Sequence, residues 1–135
     1  MLFTQKSEVD IHEMSPLALA FVGDAVLELL VRARLVGTTR LQPNRLHTVA
    51  THYVSAHAQN LELDIIEPML TDAEAAVLRR GKIASKATVA KHATVQEYRA
   101  STGFECLLGW LYLRGDKARI EELFSAMMEE NGYAS

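Results

Sequence analysis

The chain has 135 residues, a formal net charge of −3 and 49% hydrophobic residues, which fits one globular domain over residues 1–135 with a core that needs no metal or disulfide to fold. A single cysteine, Cys106, excludes an intrachain disulfide, and no stretch approaches the roughly 20 apolar residues of a membrane span. The acidic, polar N-terminus is unlike a secretory signal, so we expect a cytoplasmic protein.

The first half of the chain is divided by helix signals into three apolar segments, with expected bounds of 16–37, 43–58 and 61–70. Ser15 precedes a proline, the arrangement typical of an N-cap followed by the first helical position. Glycine marks the expected end of the first segment, and Pro68 interrupts the third. All three segments are predicted to be helical.

The second half repeats this pattern, with predicted helices over 71–81, 94–113 and 117–130. Thr71 with Glu74, and Thr94 with Glu97, have the spacing of capping boxes. Residues 81–95 are less periodic and predict a short helix or basic loop. No run alternates apolar and polar residues convincingly, so the predicted class is all-α.

Charge is unevenly distributed along the chain. Residues 1–78 contain ten acids and five bases, whereas residues 79–99 have a balance of +5. The candidate cations of this basic segment are Arg79, Arg80, Lys82, Lys86 and Lys91, with His92 beside them. A local positive field can bind a polyanion whatever the total charge, although a solvated loop remains an alternative.

Two carboxylates stand out because they lie in strongly apolar helices. Asp24 follows Gly23 in a helix that is apolar nearly all round, so we expect it at or near the interior or an interface. Glu105 is the only charged residue between Arg99 and Arg114. A buried carboxylate needs a cation or a proton, and paired carboxylates favour Mg²⁺ or Mn²⁺. The alternative, that Asp24 and Glu105 are ordinary solvated acids that bind no metal ion, remains equally open.

Two blocks of sequence resemble the catalytic domain of the ribonuclease III family. The first is the run from Phe21 through Gly23, Asp24 and Ala25 to Val26, and the second comprises Glu105, Leu107, Leu108, Gly109, Tyr112 and Leu113. The chain is most similar to the Mini-III subgroup, which consists of the catalytic domain alone. The resemblance covers residues 12–130.

Two positions depart from the standard family pattern, which has further acids one turn before the aspartate and three residues before the glutamate. These positions are Ala20 and Thr102 here, and Mini-III members also lack both acids. Fewer protein ligands imply that more water molecules complete the coordination of the metal ion. Ser101 or Thr102 is a candidate to orient one of these water molecules.

The resemblance implies a homodimer in which Phe21 contacts the partner subunit. It further implies that Asp24 and Glu105 hold Mg²⁺, with Mn²⁺ as a substitute, for staggered cleavage of double-stranded RNA to 5′-phosphate and 3′-hydroxyl ends. The implied substrate is precursor large-subunit (23S) ribosomal RNA, with a ribosomal protein as a candidate partner. The basic segment would then contact the RNA backbone.

Two other functions are compatible with the sequence. The first is a non-catalytic RNA-binding protein that retains the fold, which the missing acids favour and the retained Asp24 and Glu105 oppose. The second is a helical dimerisation module without an RNA partner, against which the basic segment argues.

Overall fold

The computed structural model describes residues 7–85 and 93–130, and every regular element within these two stretches is helical. The six α-helices are α1 (Pro16–Thr38), α2 (Pro43–Val54), α3 (Ala56–Ile66), α4 (Asp72–Ala84), α5 (Val95–Leu113) and α6 (Lys117–Glu130). Short 3-10 turns occupy Ile11–Glu13 and Glu67–Met69. The predicted all-α class is confirmed. None of the helices described here is long and apolar enough to cross a membrane.

Helix α5 lies at the centre of the fold, because it packs against α1, α3, α4 and α6. Its buried residues are Ala100, Ser101, Thr102, Gly103, Phe104, Cys106, Leu107, Leu108, Gly109 and Leu111. Cys106 packs in a smaller apolar cluster. The main core contains residues from all six helices, and α5 contributes Ala100, Phe104, Leu107, Leu108 and Leu111. A polar side chain on this helix is therefore held within a rigid, densely packed frame.

Local capping signals place the helix starts where the sequence predicts them. The Ser15 hydroxyl accepts a hydrogen bond from the Ala18 amide at 3.1 Å. Both predicted capping boxes are complete, at the beginning of α4 and at the beginning of α5. Each cap satisfies backbone N–H groups that would otherwise lack partners in the first helical turn.

The predicted helix over 43–58 is instead two helices, α2 and α3, separated at Ser55. This residue has an extended backbone, with φ −64° and ψ 157°, and its hydroxyl accepts from the Ala58 amide at 3.1 Å. Serine competes with the helical backbone in this way and favours a cap over a helix interior. No proline or glycine marks the break, which is why the sequence pattern did not predict it.

The remaining differences concern helix ends. Helix α1 continues through Gly37 to Thr38, and α4 continues through Gly81 to Ala84. Neither glycine has the positive φ that is typical of a glycine at the end of a helix. Among the glycines in the described part of the chain, only Gly115 has a positive φ (82°). The predicted third segment begins earlier, as α3, and Pro68 lies in the following 3-10 turn.

Candidate active site

The site is built on an unusually close contact between α1 and α5, which two glycines make possible. A Cβ placed on Gly23 would lie 1.6 Å from the backbone oxygen of Glu105, and one on Gly109 would lie 1.9 Å from that of Leu19. Any other side chain at either position would overlap the opposite backbone. The contact therefore fixes α1 against α5 at the residue before Asp24 and at Glu105 itself.

This contact places the carboxyl groups of Asp24 and Glu105 beside each other. Burial raises the pKa of Glu105 to about 7, against the lowering effect of a hydrogen bond from Gln59. The charge of Asp24, a hydrogen bond between the two carboxyls and the charge of Glu28 raise this pKa further. Burial, which disfavours the ionised form, is the largest cause, and the nearby like charges add to it. Two carboxyls placed together in this way favour the binding of a proton or a cation.

Asp24 is exposed in the single chain. Of the two locations predicted for it, the interior and an interface, the interior is therefore excluded. Helix α1 is apolar on two faces, and only one of them packs into the core. The other carries Leu17, Phe21 and Leu29, which are 39%, 84% and 51% exposed. Phe21 thus projects from the monomer surface, as a residue predicted to contact a partner must. Asp24 lies on the border between the two faces.

Glu28 is a third carboxylate near the site that the sequence pattern did not single out as functional. It follows Asp24 by one helical turn, so the i,i+4 spacing was the available signal. Its Oε2 accepts from Arg32 Nε at 3.0 Å, which partly neutralises it. Over the described residues, 7–85 and 93–130, no group of three or more His, Cys, Asp or Glu side chains is arranged to hold a metal ion.

Gln59 is the second residue that sequence reasoning missed. It is 2% exposed and comes from α3, which packs against α5. Its Nε2 donates to Oε2 of Glu105 at 3.0 Å. No sequence signal identified it, because its position depends on the break at Ser55.

The two positions that lack the family acids are occupied by well-packed residues. Ala20 is buried in an apolar cluster with Leu19, Val77 and Cys106. The Thr102 hydroxyl donates to the Tyr98 carbonyl at 3.0 Å, and its oxygen lies 3.3 Å from the Ser85 hydroxyl oxygen. The Ser101 hydroxyl donates to the same carbonyl. Both hydroxyls proposed to orient water are therefore already engaged with α5 or with the end of α4.

Among the predicted RNA-binding cations in the described part of the chain, Arg80 and Lys82 lie on different faces of α4. Arg79 is exposed on α4. Arg80 lines a cavity of about 130 Å³ with Cys106 and Trp110, whereas Lys82 lines a different groove between α3 and α5. The three other candidates, Lys86, Lys91 and His92, lie outside the described residues.

Comparison with known proteins identifies the class of this helical fold. Residues 17–116 match the model of the ribonuclease III domain, and the chain belongs to the ribonuclease III domain family.

Curated relatives named Mini-ribonuclease 3 resemble nearly the whole chain. The protein of Enterococcus faecalis is 43% identical over 125 residues, which cover 91% of this chain and 95% of the relative. That of Symbiobacterium thermophilum is 44% identical, with coverage of 84% and 87%. A crystal structure of a Fusobacterium nucleatum protein superposes with a TM-score of 0.80 at 26% identity, covering 93% and 98%. The resemblance inferred from the two motif blocks is confirmed.

Proposed function

We propose that this chain is an endoribonuclease that cleaves double-stranded RNA with a divalent metal ion held by Asp24 and Glu105. Membership of the ribonuclease III family supports the reaction class. The observation that carries the site assignment is the pairing of these two carboxyls across the glycine contact between α1 and α5. The motif resemblance and the geometry thus select the same two residues.

The donor set fits a hard divalent cation. Neither Asp24 nor Glu105 takes part in the ion pairs found among the described residues. Because the raised pKa of Glu105 reflects partial burial beside like charge, a cation between the carboxyls would relieve both effects. Two carboxylates with water and phosphate oxygens in the remaining positions suit Mg²⁺, with Mn²⁺ as a substitute. Mg²⁺ supplies Lewis acidity and neutralises charge that develops on the cleaved phosphate.

The chain's own groups would orient the reaction. Asp24 and Glu105 fix the cation on a rigid helix pair, while the family resemblance supports 5′-phosphate and 3′-hydroxyl products. We further propose that the substrate is precursor 23S ribosomal RNA, that cleavage takes place in the cytoplasm and that a ribosomal protein is a candidate partner. The name of the curated relatives, Mini-ribonuclease 3, supports the ribonuclease activity on which this proposal depends.

The basic segment is proposed to bind the RNA backbone. Double-stranded RNA is recognised mainly through its shape, phosphates and 2′-hydroxyls, so cations spread over a surface can serve this purpose. The proposed contacts are Arg79, Arg80, Lys82, Lys86, Lys91 and His92. Of the three in the described part of the chain, Arg79 and Arg80 have the exposure that phosphate contact requires, whereas Lys82 is partly buried.

Replacing Asp24 tests the assignment directly. We expect the wild-type protein with Mg²⁺ to cut a structured double-stranded RNA, and Asp24→Asn to reduce the rate by about a thousandfold, or ~4 kcal/mol of transition-state stabilisation. The measurement is single-turnover cleavage of end-labelled RNA. Glu121→Gln, at an exposed glutamate on α6, is the control and should cleave normally.

The same experiment separates the rival function. RNA binding without cleavage by the wild-type protein would support a non-catalytic RNA-binding protein. Cleavage that survives Asp24→Asn would overturn the metal-site assignment.

A homodimer through the outer face of α1 is also part of the proposal. Exposed apolar patches of this kind mark interaction surfaces, and Phe21 is 84% exposed on this face. Phe21→Asp is expected to shift the protein from dimer to monomer in sedimentation velocity. Ile83→Asp alters a side chain that is 77% exposed on α4 and should leave the dimer intact. A dimer that resists Phe21→Asp would place the interface elsewhere.

A further inference from the structure

Gln59 is a fully buried polar residue beside the proposed metal site. It is 2% exposed, and a buried amide is costly unless its hydrogen-bonding groups find partners. Its Nε2 lies 3.0 Å from Oε2 of Glu105 and 2.9 Å from the backbone oxygen of Val54. One amide nitrogen thus bridges a candidate ligand and the end of a helix.

Both partners of Nε2 are acceptors, and this defines the orientation of the amide. Reversing the group would place Oε1 against the Val54 carbonyl oxygen at the 2.9 Å now spanned by the hydrogen bond, and a backbone carbonyl can never donate to it. In the described part of the chain, Oε1 is buried without a hydrogen-bond partner. The side-chain amide therefore leaves its oxygen without a hydrogen bond, while its nitrogen donates to both acceptors.

The helix break at Ser55 makes this bridge possible. Val54 is the last residue of α2, so its carbonyl has no partner within the helix. The extended backbone at Ser55 begins α3 with its own cap. Gln59, in the first turns of α3, then reaches back to the end of α2 and across to α5. Had the chain continued as one helix, as the sequence predicted, the Val54 carbonyl would be engaged by the backbone.

The bridge restrains one of the two Glu105 oxygens. Oε2 is held by Gln59, which anchors the carboxylate to the α2–α3 junction while the α1–α5 contact anchors its backbone. Hydrogen-bonded neighbours of this kind commonly orient metal-binding carboxylates. We propose that Gln59 is a positioning residue that fixes the Glu105 carboxylate for cation binding. This inference rests on the proposed function, since it concerns the same site.

The test is direct cation binding by the metal-free protein, without RNA. Free Mn²⁺ is titrated by electron paramagnetic resonance with wild-type protein, Gln59→Met and Thr71→Ala. Methionine matches glutamine in length and lacks both N–H donors, so we expect Mn²⁺ affinity to fall at least about tenfold. Thr71→Ala removes the cap of α4 without altering a hydrogen bond of Gln59 or Glu105, so it should lower the melting temperature with Mn²⁺ affinity unchanged.

A second variant covers the case in which Gln59→Met does not fold. Gln59→Asn keeps a buried amide but is one methylene too short to span Val54 and Glu105, and it should weaken Mn²⁺ binding similarly. Wild-type affinity in a folded Gln59 variant, or an equal loss in Thr71→Ala, would overturn the positioning role. Absence of Mn²⁺ binding by the wild-type protein would instead overturn the proposed metal site, and this inference with it.

Discussion

Glu105→Gln is expected to abolish RNA cleavage while stabilising the metal-free protein at pH 8. The loss of activity should be about a thousandfold, since a neutral amide is a poor ligand for Mg²⁺. The gain in stability has a separate cause, because the pKa of Glu105 is raised to about 7 by burial and by the charges of Asp24 and Glu28. The substitution replaces a carboxylate whose ionised form destabilises the fold with a neutral amide of the same size.

The direction of the pH effect follows from proton linkage. An acid with a pKa of 4.5 in the unfolded chain and about 7 in the fold binds its proton more tightly when folded. Its ionisation therefore destabilises the metal-free fold as the pH rises from below 4.5 to above 7, by about 3 kcal/mol in total. Most of this difference should appear between pH 5 and pH 8. Glutamine is neutral throughout and retains an oxygen to accept from Gln59.

Urea unfolding with EDTA at pH 5 and pH 8 provides the measurement. The advantage of Glu105→Gln over the wild-type protein should grow over this range, whereas Glu121→Gln, at an exposed glutamate on α6, should stay within about 0.5 kcal/mol at both pH values. Adding Mg²⁺ should favour the wild-type protein, because a ligand that binds only the fold stabilises it. Equal stabilities of Glu105→Gln and wild type at pH 8 would contradict the electrostatic account of the site.

Features of the fold that depend on local chemistry were predictable from the sequence. The capping boxes at Thr71 and Thr94 involve side chains three residues apart, so they form wherever the helix forms. The pairing of Asp24 with Glu105 was different. Periodicity alone could not separate it from two solvated acids, and the prediction depended on the spacing and order of the two motif blocks.

Features created by tertiary packing were not predictable in this way. The break at Ser55 has no proline or glycine signal, and Gln59 gains its partners only because the chain bends there. Helix α1 is apolar on both faces, which suggested that it is buried centrally. In the single chain its outer face is open, and Phe21 and Asp24 are exposed. Sequence pattern reports that a face is apolar, but not which molecule covers it.

The basic segment shows a related limit. Net charge along the sequence correctly locates a concentration of cations, but a helix distributes neighbouring residues around its axis. Arg80 and Lys82 accordingly line different cavities. A count of charges therefore predicts that a region is basic, without predicting that it presents one basic surface.

Gly23→Ala is expected to be the most damaging single-methyl change in the described structure. Its Cβ would lie 1.6 Å from the Glu105 oxygen and 2.5 Å from the Glu105 carbonyl carbon. Side-chain rotation cannot relieve a clash with backbone, so α1 and α5 must separate. We expect a loss of about 4 kcal/mol or more in the free energy of unfolding, a large share of the 5–15 kcal/mol typical of a domain. Urea unfolding measures the loss.

Gly37→Ala is the matched control in the same helix, because nothing lies within 4 Å of a Cβ at that position. Alanine favours a helix over glycine, so this variant should be stabilised by up to about 1 kcal/mol. Gly109→Ala, whose Cβ would lie 1.9 Å from the Leu19 oxygen, should resemble Gly23→Ala. Any folded fraction of either damaged variant should also cleave RNA poorly, since separating the helices moves Asp24 away from Glu105. A Gly23→Ala protein with wild-type stability and activity would show that the backbone contact does not hold the two carboxylates together.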